Sequence, residues 1–120
     1  AGCKSIPVEP GVLQEQMEFA ARSCGATVIC STFHRFEIPT ADGQHGLSGV
    51  VIIGESHLAV HTWPEHLAVC VDLFTCSPTM DAEPGIEYLK SQFSAEHVLI
   101  RHANRGQELG SAPSLLETPR

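Results

Sequence analysis

Basic residues are few in this sequence and they do not cluster. Lys and Arg together number 7 against 14 Asp and Glu, which gives a net charge of -7 at pH 7. A nucleic-acid partner is therefore not expected, because contacts to phosphates need a positive patch. No apolar run approaches the length of a membrane span and no signal peptide is visible, so we expect no membrane association.

The cysteines also lack the number and spacing that are typical of disulfide frameworks and zinc ribbons. The chain has 5 cysteines, an odd number, and no CxxC pair. A disulfide framework or a zinc ribbon is disfavoured, since these need even numbers or paired spacings. Reduced thiols in a cytoplasm fit better, and we predict a cytoplasmic protein.

The size of the chain suits one domain. Its 120 residues are 42% hydrophobic, enough for a modest core, so we predict a single domain over residues 1–120. A chain this short often completes its burial by forming an oligomer.

Periodicity and turn residues predict two helices and several short strands. The first helix starts at Pro10 and stops at Gly25, with an inward stripe of Leu13, Met17, Ala20 and Cys24. Asp81 caps the second helix, which continues to Phe93. The predicted strands are residues 26–38, 50–53, 58–63, 67–75 and 97–103, and the tail from Gly106 is predicted to be irregular.

These elements predict an α/β (α+β) two-layer sandwich, with a mostly antiparallel sheet and two helices on one face. The opposite face of the sheet would then need covering, and a partner subunit could cover it.

The stretch GESHLAVHTWPEH, Gly54 to His66, holds three histidines and a serine after the apolar run VVII. A metal site could use His57, His61 and His66, but HLAVH lacks the glutamate of HExxH and its setting is β rather than helical. We predict no bound metal. A hydrolase could use Ser56 and His61, but the GxSxG elbow is absent.

The alternation of side chains along a strand also argues against a hydrolase. In one unbroken strand, Ser56 would face with Leu58 and Val60, while His61 would face with His57 and Trp63. For Ser56 and His61 to share a site, the chain must turn sharply near residues 55–57. A strained turn ending in serine is what attack by the serine hydroxyl on the preceding carbonyl would need.

Four motifs in close order, FHRF, SGVVII, ESHLAVHTWPE and DLFTC, resemble the prokaryotic S-adenosylmethionine decarboxylases. The resemblance covers roughly Gly25 to Gly106. It implies a proenzyme that cleaves itself between Glu55 and Ser56, giving a β chain of 1–55 and an α chain of 56–120. Ser56 would become a pyruvoyl group, the enzyme's own cofactor, which forms a Schiff base with the substrate amine.

The resemblance also implies the substrate and the assembly. The substrate would be S-adenosylmethionine, and the decarboxylated product is the aminopropyl donor for spermidine. The enzyme, a carboxy-lyase, would work as a homodimer of processed βα units, with sites near the subunit interface.

The roles of individual residues are likewise what the resemblance implies. The processing residues would be Ser56, Ser48, which assists cleavage, and His61, which takes the proton that drives β-elimination. Cys76 would donate a proton to the product carbon. Phe36, Trp63 and Glu65 would bind the substrate.

Three departures from the family pattern keep alternatives open. The family's first strand is apparently lacking before the first helix, the connection over residues 37–46 is long, and Gly54 replaces a serine. The alternatives are a pyruvoyl-dependent decarboxylase of ornithine or arginine, and an unprocessed homologue without catalysis.

Overall fold

A computed structural model describes residues 2–41, 43–54, 56–75, 80–104 and 114–118, with the backbone alone for 102–104 and 114–118. The elements in chain order are α1 (Pro10–Ser23), β1 (Val28–Arg35), β2 (Leu47–Ile53), β3 (Ser56–Trp63), a 3-10 turn (Pro64–His66), β4 (Ala68–Thr75), α2 (Glu83–Gln92), β5 (Arg101–Asn104) and β6 (Ser114–Thr118).

The described strands form one sheet in the order β1-β2-β3-β4-β6-β5, and every neighbouring pair is antiparallel. Both helices contribute to a core that lies against one face of this sheet. The predicted two-layer fold, with an antiparallel sheet and two helices, is confirmed.

The core forms because apolar side chains recur at helical spacing in α1 and at every second position in the strands. Leu13, Met17 and Ala20 are at most 1% exposed, which confirms the predicted inward stripe of α1. They meet the apolar side chains that β2, β3 and β4 turn toward the helices, namely Leu47, Val51, Ile53, Leu58, Val60, Val69 and Leu73.

The predicted ends of the second helix are close to the observed ones, but its cap differs. The N-cap residue is Ala82, not Asp81, and the helix starts at Glu83. The Asp81 carboxylate still accepts a hydrogen bond from the Glu83 N–H at 3.1 Å. It therefore supports the first turn from one position further back.

The C-terminal part differs most from the prediction. The strand predicted over 97–103 begins only at Arg101, since residues 97–100 are exposed and outside any strand. The tail predicted to be irregular contains β6, which inserts between β4 and β5. In β6, Thr118 pairs with Val71 of β4, which is distant in sequence. Local periodicity therefore does not predict this strand.

Candidate active site

A tight hairpin joins β2 to β3 at the predicted cleavage point. Ile53 pairs with Ser56, so residues 54 and 55 alone connect the two strands. Ser56 is the first residue of β3, and its hydroxyl oxygen is buried without a hydrogen-bond partner among the described residues. Glu55 lies outside the described residues. A buried hydroxyl without a partner at a hairpin turn is a candidate nucleophile.

The strand parity predicted for β3 is confirmed. Leu58, Val60 and Thr62 face the helices and are at most 3% exposed. His57 and His61 point to the other side, toward the face of the sheet that has no helix among the described elements. We call this side the open face. Its members on β1 to β4, from the ladder register, are Cys30, Thr32, His34, Ser48, Val50, Ile52, His57, Ala59, His61, Trp63, Ala68, Cys70, Asp72 and Phe74.

Ser48 and His61 are cross-strand partners on the open face. Ser48 pairs with His61 on one side and with His34 on the other, and His61 also pairs with Cys70. Opposite residues in an antiparallel sheet have Cβ atoms about 4.5–5.5 Å apart, which is hydrogen-bonding reach for a hydroxyl and an imidazole. The structure thus brings the predicted processing serine and histidine together.

The same ladder separates this pair from Ser56. His61 lies five residues beyond Ser56 along β3, which is about 17 Å at the rise of an extended strand. Ser56 also belongs by parity to the opposite face. Because β3 is continuous from Ser56 to Trp63, the chain makes no further turn that could bring the two together. Within one chain, Ser56 and His61 do not share a site.

The predicted substrate-binding residues lie at the end of the sheet that carries Ser48 and His61. Trp63 is the last residue of β3 and is 39% exposed, and Glu65 lies exposed in the following 3-10 turn. Phe36 follows β1, and its N–H donates to the Gly46 carbonyl at 2.9 Å. We call this end, with Phe36, Ser48, His61, Trp63 and Glu65, the aromatic end.

Gly46 is needed for the position of the Phe36 ring. A Cβ at Gly46 would lie 2.8 Å from Phe36 Cδ2 and 2.9 Å from the Thr62 carbonyl oxygen. Only glycine allows this approach of ring and backbone. Gly46, which ends the long connection after FHRF, therefore allows the Phe36 ring to lie beside the sheet, where Phe36 is 37% exposed.

The other end of the sheet carries Ser56 and the end of β4, and we call it the turn end. His57 pairs with Phe74, and their rings stack with centroids 5.7 Å apart. Thr75 follows Phe74 and is therefore level with Ser56. Cys76, the predicted proton donor, comes next in sequence and lies outside the described residues.

Two residues of interest were missed by sequence reasoning. Thr62 is buried, and its hydroxyl accepts a hydrogen bond from the Leu47 N–H at 2.8 Å, which ties β3 to the start of β2. Asp72 lies on the open face, and its Oδ1 is buried without a partner among the described residues. The sequence did contain an indication of Asp72, since it is a carboxylate among the outward-facing residues of an otherwise apolar strand.

The features of a metal site and of a membrane span are absent from the described part of the chain. No three His, Cys, Asp or Glu side chains within it lie close enough to hold a metal ion. None of its helices is long and apolar enough to cross a membrane. An apolar cavity of about 70 Å³ lies on the helix side, beside Val71, Leu89 and Phe93, away from every predicted site residue.

Comparison with known proteins agrees with the motifs in this site. The family model for S-adenosylmethionine decarboxylase matches residues 2–106. The S-adenosylmethionine decarboxylase proenzyme of Thermotoga maritima is 43% identical over 96 residues, which are 80% of this chain and 69% of the relative. That of Pseudomonas aeruginosa is 42% identical over 94 residues, 78% of this chain and 55% of the relative.

A solved structure is similar as well. The adenosylmethionine decarboxylase from Aquifex aeolicus is 32% identical, with a TM-score of 0.57, over 71% of this chain and 65% of that one. The chain therefore spans only part of the length of the proteins it matches. The enzyme class predicted from the sequence is confirmed at the level of the family: the chain belongs to the S-adenosylmethionine decarboxylases.

Proposed function

We propose that this chain is the proenzyme of a pyruvoyl-dependent decarboxylase that acts on S-adenosylmethionine. The observation that carries the proposal is Ser56, whose buried hydroxyl has no partner among the described residues and directly follows a two-residue hairpin connection. The relatives' names contain the word proenzyme, which supports a precursor that matures.

Maturation would begin with attack of the Ser56 hydroxyl on the carbonyl carbon of residue 55. The amide becomes an ester, and a base then removes the α-proton of residue 56. The bond from Cβ to the ester oxygen breaks, which leaves a carboxylate at Glu55 and a dehydroalanine at 56. Hydrolysis of that residue releases ammonia and leaves a pyruvoyl group. The pyruvoyl carbonyl supplies the electron sink that decarboxylation requires and that no side chain provides.

His61 is proposed as the base, and Ser48 as the hydroxyl that assists cleavage. A histidine suits this role because its ordinary pKa lies near neutrality. The separation of about 17 Å between His61 and Ser56 along one chain means that these residues meet only if two copies associate. We therefore propose a homodimer in which His61 and Ser48 of one copy serve the turn end of the other.

The open face supports such an association. It lacks a covering helix among the described elements, and it exposes Trp63 at 39% and Ile52 at 38%. A two-fold axis that lies between the two sheets, parallel to them and perpendicular to the strands, would place the aromatic end of each copy over the turn end of its partner, because such interfaces are self-complementary. Each site would then combine Ser56 with a partner's base and aromatic residues.

The chemistry of the aromatic end supports this substrate. Phe36 and Trp63 offer aromatic faces that can stack on an adenine and attract a sulfonium cation. Glu65, exposed in the 3-10 turn, is proposed to accept hydrogen bonds from ribose hydroxyls. Cys76 is proposed as the acid that protonates the carbon that has lost CO₂, and its chain neighbour Thr75 is level with Ser56. The product would supply aminopropyl groups for spermidine synthesis.

The test is the mass of the purified protein under denaturing conditions, with and without a reagent that traps carbonyls. We expect two fragments, 1–55 and 56–120, of which only the second reacts with the reagent. Ser56→Ala should stay intact, while Ser91→Ala, on the exposed side of α2, should be cleaved normally. Cleavage of Ser56→Ala would disprove the mechanism.

The substrate is tested by CO₂ release from labelled S-adenosylmethionine, ornithine and arginine in turn. Release from S-adenosylmethionine alone supports the proposal. Release from ornithine or arginine would identify the related amino-acid decarboxylase instead, and an intact wild-type chain without release would identify the non-catalytic homologue.

A further inference from the structure

Asp72 is a half-buried carboxylate on β4. It lies on the open face of β4, and its Oδ1 is buried without a partner among the described residues. Burying a carboxylate oxygen without a hydrogen bond is unfavourable, so such an atom indicates a donor that it meets in some state of the protein.

The residues directly opposite Asp72 in the sheet do not supply that donor. On β6 the opposite residue is another carboxylate, Glu117, and Arg101 on β5 lies two strands from Asp72. Ala59 is directly opposite in the ladder, and Val50 follows on β2. Both side chains are apolar. The small side chain of Ala59 leaves space beside the carboxylate, which the diagonal neighbours can enter.

The diagonal neighbours are two histidines. Ala59 is flanked on the open face by His57 and His61, each two residues away along β3. Diagonal positions lie about 7–8 Å apart, within reach of an imidazole. The ring of His57 is stacked on Phe74 at 5.7 Å, whereas His61 is exposed. His61 is therefore the histidine that is free to turn toward Asp72.

We propose that Asp72 is a positioning residue for His61. Its carboxylate accepts a hydrogen bond from one ring nitrogen of His61, which leaves the other nitrogen as the proton acceptor and stabilises the imidazolium after transfer. The proton passes from the α-carbon of residue 56 to His61, and none is transferred to Asp72. The inference rests on the role proposed above for His61 in maturation.

The first test is the rate of cleavage in the full-length chain. Asp72→Asn should slow cleavage by roughly tenfold or more, since a positioned base contributes about 10²–10⁴ in rate. Asp72→Glu, which keeps the charge, should recover part of the rate. Glu87→Gln removes one carboxylate from the exposed surface of α2 and is the matched control.

Thermal stability separates positioning from a structural role. Asp72→Asn keeps the size and shape of a half-buried side chain, so its Tm should lie close to that of the wild type. Slower cleavage at unchanged or higher Tm supports the proposal. An unchanged cleavage rate, or slower cleavage that only follows a lower Tm, overturns it.

The second test observes the imidazole directly. In the Ser56→Ala chain, which stays uncleaved, long-range ¹H–¹⁵N spectra report the tautomer of each histidine. Asp72→Asn should alter the ring signals of His61 and leave those of His57 unchanged. Identical His61 signals in both chains would overturn the contact. This readout remains decisive even if the wild type is never cleaved, in which case the proposed function fails by itself.

Discussion

The two faces of the sheet differ in what covers them. On the helix side, Glu18 accepts hydrogen bonds from Ser31 and Gln14, and these polar side chains lie at the edge of a closed apolar core. On the open face, an oxygen of Asp72 is buried without a partner among the described residues, and Trp63 and Ile52 are exposed. The helices cover one face within a single chain, while no described element covers the open face, where we propose that a second copy binds.

The hairpin of β2 and β3 contributes to both faces. Alternation sends Leu58 and Val60 into the core and His57 and His61 to the open face. One strand therefore contributes to the core and carries the residues proposed for the chemistry. Substitutions on the open face should accordingly affect maturation most, and substitutions on the helix side should affect stability most.

The largest expected effect is the complete loss of cleavage. Chains carrying His61→Ala and chains carrying Ser56→Ala should each fail to be cleaved alone, because one lacks the base and the other the nucleophile. Co-expressed, they should restore cleavage of the His61→Ala chain only, in about half of its copies if two-fold dimers form at random. Mass spectrometry distinguishes the two chains.

The control for this experiment pairs Ser56→Ala with a chain that carries both Ser56→Ala and His61→Ala, which should give no fragments. If co-expression of the two single variants also leaves every chain intact, His61 does not act across a dimer and the arrangement of the open face proposed above is wrong.

An intermediate effect should appear in stability. Leu58→Ala, on the helix side at 3% exposure, should lower the free energy of unfolding by about 2–5 kcal/mol through the cavity it leaves. Ile52→Ala, on the open face at 38% exposure, should cost about 1 kcal/mol or less within one chain. Chemical denaturation of both variants measures the contrast.

Ile52→Ala also tests the association. If the open face is covered by a second copy, the Tm of the wild type should rise with protein concentration, and Ile52→Ala should lower Tm at a given concentration, because dimer formation contributes to the stability of the folded state. A Tm that is independent of concentration in both the wild type and the variant would contradict a dimer through this face.

The smallest effect concerns acid stability on the helix side. The hydrogen bond from Ser31, with that from Gln14, holds the pKa of Glu18 below its ordinary value of 4.5. A carboxylate with a lowered pKa in the folded state stabilises the protein above its unfolded pKa, and this stabilisation is lost as pH falls through the folded pKa.

Glu18→Gln should therefore lower the stability near pH 7 by about 1 kcal/mol or less, given solvent screening, and the difference from the wild type should shrink below pH 4.5. Glu15→Gln, on the exposed side of α1, is the control. The measurement is Tm against pH. A difference that persists unchanged in acid would mean that the charge of Glu18 has no part in the network.

Sequence reasoning succeeded where the signal was local. The stripe of α1 and the alternation of β3 and β4 follow from the spacing of apolar residues, and the structure has both. It failed for β6, since the pairing of Thr118 with Val71 depends on a contact distant in sequence. It also predicted Asp81 as the N-cap of α2, whereas the N-cap is Ala82. The two residues are adjacent, and the Asp81 carboxylate does accept a hydrogen bond from the first turn, as a capping residue would.

The sequence by itself determined the family, through the motifs around Ser48, Ser56, His61 and Cys76, and it determined the opposite orientation of Ser56 and His61, because alternation is a property of any extended strand. Only the tertiary structure decided the distances. Ladder register places Ser48 beside His61 and Asp72 diagonal to it, and it leaves Ser56 five residues away. Register depends on how strands pair across the whole sheet, and no local pattern of residues specifies it.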